Sequence, residues 1–258
     1  MPRTTTPAGL GLAALLAALG LAACSAPAPE PPESADTGRT TAPASGPASD
    51  DGASGPASAD GTYSSAELAG ILGTLTEAGG APLQVIPADQ IDRSMAQARQ
   101  FLESVTITPE ECRIFVSNSL AAPEGAGYST AVSSVDGDAV QTIVSASSSA
   151  DASDARTRTD AASAALGPCA SFSLDAQGVA IEQTVQGVEA ATDAETTFGT
   201  VTTQTSSDGA EQETMTVVGT RGGLAVTALR TARDTLPEGT QDELQLLVDR
   251  TFAAATKG

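Results

Sequence analysis

From Ser25 to Gly61 the chain carries seven prolines among mainly small and polar residues, and no large apolar side chain. Such a stretch has nothing to bury, so the entropy cost of ordering its backbone, about 1–2 kcal/mol per residue, goes unopposed. Whatever this sequence folds into must therefore be built from residues 62–258. That is the length of one domain with a substantial core.

Ahead of the proline-rich stretch, Arg3 supplies a short positive leader, and Pro7–Ala23 is an uncharged run, PAGLGLAALLAALGLAA. It suits the apolar region of an export signal better than a membrane-spanning helix, which needs about 20 apolar residues. The run ends in Leu21-Ala22-Ala23-Cys24, which resembles the bacterial lipobox. In proteins with that motif the cysteine thiol receives a diacylglycerol and becomes the new N-terminus. The expected organisation is a signal peptide at 1–23, lipidated Cys24 with a disordered tether at 24–61, and one extracytoplasmic domain at 62–258. The tether would reach between about 30 Å as a coil and about 115 Å fully extended. Each buried CH₂ of an acyl chain contributes about 0.8 kcal/mol, and two chains anchor a protein stably. The expected location is the outer face of the cell membrane, with the membrane as partner through the lipid.

Charge and missing residue types narrow the function. The chain has 12 basic and 32 acidic residues, a formal charge of −20, and loss of residues 1–23 makes it one unit more negative. A chain this acidic repels phosphate backbones, so no nucleic-acid partner is expected. There is no histidine, which removes Ser-His-Asp and Cys-His schemes and imidazole-held metals. Lys257 is the only lysine and sits one residue from the end, a poor place for a Schiff base or a Ser-Lys dyad. No enzyme and no cofactor is expected. Asp136-Gly137-Asp138 offers two acids of a calcium loop, but the full ligand spacing is missing. Asp-Gly between alternating strands is a hairpin turn instead, and no metal site is expected.

Local signals set out the elements. Ser64 and Glu67 form a capping-box pair ahead of Leu68, Ile71, Leu72 and Leu75, predicting a helix that Gly79-Gly80 ends. Leu83–Ile86 reads as a short extended piece, and the Ile91, Met95, Ala98 and Leu102 spacing predicts a helix over Ala88–Glu103. Thr108-Pro109-Glu110-Glu111 is a helix start, Thr108 the cap and Pro109 the first helical residue, which puts Cys112 on a short helix. Strands follow at 128–135 and 139–146, then an alanine-rich helix over 151–166 closed by Gly167-Pro168. Further strands are predicted at 170–174, 179–188, 196–205, 213–220 and 224–231. A last helix, capped by Thr240 and Glu243, buries Leu244, Leu247, Val248 and Phe252. Helices around a mostly antiparallel sheet make an α+β domain.

Cys112 and Cys169 are the cysteines left in the exported domain, and neither belongs to a C-x-x-C motif. A structural disulfide is expected, closing a loop of about 58 residues and contributing roughly 4 kcal/mol by chain entropy.

The Thr108-Pro109-Glu110-Glu111-Cys112 element resembles the Thr-Pro-x-x-Cys start of PknH-like extracellular sensor domains, found on mycobacterial kinases and in actinobacterial lipoproteins. The likeness runs on through the hairpin, the alanine-rich helix ending in a second cysteine, the strands with a Gly-Gly turn and the terminal helix. The resemblance implies an antiparallel sheet packed with helices and a cleft for an unidentified ligand. Two features depart from it. The prototype has a second disulfide that this chain lacks the cysteines to make, and Leu166 stands where members often carry a tryptophan.

The function expected is that of a surface-tethered, non-enzymatic ligand-binding or sensor-like domain that binds a small molecule or an envelope component. A protein-interaction or scaffolding module and a lipid carrier are the alternatives. In so acidic a domain an arginine facing a pocket would stand out. Arg221, Arg230 and Arg233, close together along the last strands, are the candidate ligand-binding residues. The competing reading pairs them with acids on the surface.

Overall fold

A computed structural model describes residues 62–117, 125–135 and 139–256. Residues 1–61, with the signal, Cys24 and the tether, lie outside the described residues, as does the Asp136-Gly137-Asp138 turn. In chain order the described elements are α1 (Ser65–Leu72), β1 (Gln84–Val85), α2 (Ala88–Glu103), β2 (Val105–Thr108) and a 3-10 turn (Glu110–Arg113) that runs into α3 (Ile114–Ser117). There follow β3 (Gly127–Val135), β4 (Val140–Ser148), α4 (Ala152–Ala165), β5 (Ser171–Ala176), β6 (Val179–Val188), β7 (Thr196–Ser206), β8 (Glu211–Arg221), β9 (Leu224–Arg233) and α5 (Thr240–Ala255). The strands form one sheet in the order β1-β3-β4-β9-β8-β7-β6-β5-β2. Every pairing is antiparallel. The domain is α+β, as expected. No helix among the described residues is long and apolar enough to cross a membrane.

Residues directly opposite each other on antiparallel strands project to the same side of the sheet. Val226 and Ala228 of β9, Val217 of β8 and Val144 and Ala146 of β4 share one side, which α1 and α5 cover with Leu68, Leu72, Leu244, Leu247 and Phe252. A second core lies on the opposite side, at the other end of the sheet. There Val105, Ile107, Phe172, Leu174, Ile181 and Val185 pack with Phe101, Phe115 and Leu166. The expected disulfide is formed inside that second core: Cys112 and Cys169 are fully buried, with Cα atoms 5.4 Å apart.

Several boundaries differ from the sequence reading. Helix α1 ends at Leu72 with Gly73 as its cap, not at Gly79-Gly80. The chain then doubles back through a bridge between Thr76 and Pro82, and Gly80, at φ +82°, makes the tight turn between them. Thr108 ends strand β2 and Pro109 caps the 3-10 turn, so the helix start is one residue later than its pattern suggested. Strand β2 itself was not foreseen, although Val105-Thr106-Ile107-Thr108 alternates buried and exposed. Helix α5 is preceded by Gly239 at φ +79°, with no side-chain cap; the Thr240 hydroxyl donates to the Pro237 carbonyl, and Glu243 turns elsewhere.

The chain enters the fold through a narrow gap. Tyr63 donates its N–H to the Ser148 hydroxyl at 2.9 Å and its phenol to the Ala255 carbonyl at 2.8 Å, tying the start of the domain to both β4 and α5. Gly127 leaves room for this passage, because a Cβ there would stand 2.0 Å from the Tyr63 carbonyl oxygen. Gly127→Ala is therefore expected to push the Tyr63–Ser64 segment off the sheet, at about 1–3 kcal/mol of overpacking. Thermal unfolding checks this, and an unchanged midpoint would contradict the packing described.

Candidate functional site

The structure does not bring the three arginines together. Arg221, at the end of β8, lies with its guanidinium carbon 4.7 Å from the centre of the Phe252 ring and donates to the Asp193 carbonyl. Arg230 sits in the middle of β9 on the side covered by α5, and is 5% exposed. Arg233 ends β9 on the opposite side of the sheet, exposed, with Gln212 as its cross-strand neighbour.

Arg230 is the centre of a buried polar cluster. Its Nε donates to the hydroxyl of Thr142, its partner on β4, at 2.9 Å. Its Nη1 donates to Glu243 of α5 at 2.6 Å, and its Nη2 stands 3.6 Å from Glu77 in the loop after α1. Glu243 also accepts the N–H of Ala78 at 2.8 Å. One guanidinium thus joins β9, β4, α5 and the 76–82 loop. Arg230 holds the Glu243 carboxyl below its ordinary value through that hydrogen bond; partial burial opposes the effect, and the Ala78 N–H and Arg250 reinforce it. Glu77, Thr142 and Glu243 were not foreseen as a group. Glu243 fitted the local pattern of a helix cap, which looks the same in sequence whether the carboxylate turns back or reaches across.

Two areas of the sheet away from α1 and α5 differ in character. On the α5 side, β5 and β6 present Asp175, Ala180, Glu182, Thr184 and Gln186, all exposed; this is an ordinary solvated face. On the other side, β7, β8, β9, β4 and β3 present rows set by the register. One row runs Thr202, Thr214, Thr231, Gln141 and the next Thr200, Thr216, Leu229, Ile143, Val132. A flanking row runs Gln183, Gln204, Gln212, Arg233. Apart from buried Gln183 and Thr200 and exposed Arg233, these side chains are half-buried. The Thr214 and Thr231 hydroxyls bond each other at 2.9 Å, and Thr130 and Ser145 do the same at 2.9 Å beside the Tyr128 hydroxyl.

Among the described residues, the strand carboxylates (Asp175, Glu182, Glu211 and Glu213) project to the α5 side. The half-buried face has none among its described strand positions, in a chain of charge −20. Helix α4 packs on this side against β7, β8 and β9, and α2 against β3; Thr200 and Thr220 are buried, and Leu166 lies so close to Gly187 that a Cβ on the glycine would meet its Cδ1 at 2.8 Å. Thr is a common residue on solvated strands, so hydroxyls alone would mean little. Half-burial and the apolar Leu229–Ile143–Val132 row distinguish this face from the exposed one on the same sheet.

No protein-family model matches the chain, and no curated protein matches its sequence. Among solved structures, the extracellular domain of PknH from Mycobacterium tuberculosis is similar at a TM-score of 0.46 and 12% identity, over 76% of this chain and 93% of that one. An uncharacterized protein from Mycobacterium smegmatis, the Rv0999 ortholog, is similar at a TM-score of 0.37 and 18% identity, over 59% of this chain and 77% of that one.

Proposed function

We propose that the chain is an exported lipoprotein whose extracytoplasmic domain binds a small molecule or envelope component on the carboxylate-free face and carries out no covalent chemistry. The contrast between these two areas of one sheet carries this reading. A face that served only solubility would resemble the β5–β6 surface, with its exposed acids. Half-buried hydroxyls, amides and apolar side chains beside one another are the composition of a recognition surface. Arg233, at the rim of the glutamine row, is the candidate arginine placed to touch a ligand there. Arg221 and Arg230 have partners within the fold. The lack of histidine and the single terminal lysine leave few groups for proton transfer near neutral pH.

Cys24 and the tether hold the domain at the outer membrane face in this reading. Intact mass of the membrane-extracted chain should exceed that of its residues 24–258 by the mass of the acyl groups. Cys24→Ala should remove them and leave the signal attached. A wild-type mass without added lipid would overturn the anchor. Native mass spectrometry of the same preparation tests the binding function: a retained small molecule is expected, and a bare protein under conditions that preserve the fold would count against it.

A further inference from the structure

We draw no further inference here: the strongest candidate, the buried side-chain cluster of Arg230, Glu77, Glu243 and Thr142 between β9, β4, α5 and the 76–82 loop, carries nothing beyond the joining of those elements already described, because both carboxylates and the hydroxyl face the one guanidinium.

Discussion

Arg230→Met is expected to destabilise the domain by about 3–5 kcal/mol, the range for removing one partner of a buried ion pair. Methionine fills much of the space but leaves Glu77 and Glu243 facing each other's charge, and the Thr142 hydroxyl without its donor. Glu77 and Glu243 have side-chain exposures of 7% and 16%, too little for water to take over. For a domain of this size the midpoint of thermal unfolding should fall by about 6–20 °C. The sign with pH is fixed. Glu243 is held below its ordinary value of 4.5 in the folded state. Its contribution is complete above that value and is lost as pH falls through the lowered folded one. In Arg230→Met the largest cause of the depression is gone, leaving only the Ala78 N–H and Arg250, so the gap between variant and wild type should narrow in acid. A triple variant adding Glu77→Gln and Glu243→Gln should recover a good part of the loss at neutral pH, because it removes the stranded charges. An Arg230→Met protein as stable as wild type would show that the guanidinium does not hold these elements together.

The second large effect is expected from the disulfide. Cys112→Ala with Cys169→Ala should cost about 2–5 kcal/mol, as loss of a native bridge does in exported domains. The bridge spans 57 positions of sequence, so the unfolded chain regains a long loop's freedom. The native state also loses two sulfurs packed against Phe172 and its neighbours. Cys112 belongs to the turn before α3, and Cys169 follows α4, whose Leu166 walls the carboxylate-free face. The variant should therefore weaken ligand binding through the loosened wall as well as lowering the unfolding midpoint, whereas Arg230→Met acts on the far side of the sheet. Equal unfolding curves with and without the bridge would contradict its structural role.

How much of this was legible in the sequence depends on how local each signal is. The Ala88–Glu103 helix and the Val179–Val188 strand were readable to the residue, because their periodicity spans the whole element. The cysteine pairing followed from there being no other partner in the domain. Burial of Arg230 was within reach: counting by twos along LAVTALRTAR puts it on the side of Leu224, Val226 and Ala228. What local reasoning could not supply was register. The hydroxyl row joins Thr202, Thr214, Thr231 and Gln141 from four strands, and only the pairing of those strands makes them neighbours. The absence of carboxylates from the described strand positions of one face is likewise a property of the sheet and of no single strand.

The central claim, that the carboxylate-free face is the ligand surface, is tested most directly by placing the same charge on each side of the sheet. Thr231→Lys puts an ammonium among the half-buried hydroxyls, and Gln186→Lys puts one on the exposed surface of β6. Both full-length variants, extracted from the membrane alongside wild type, would be compared by native mass spectrometry for retained ligand. Loss of the bound mass in Thr231→Lys with retention in Gln186→Lys is the result expected. Retention in both variants, or loss only from Gln186→Lys, would contradict it.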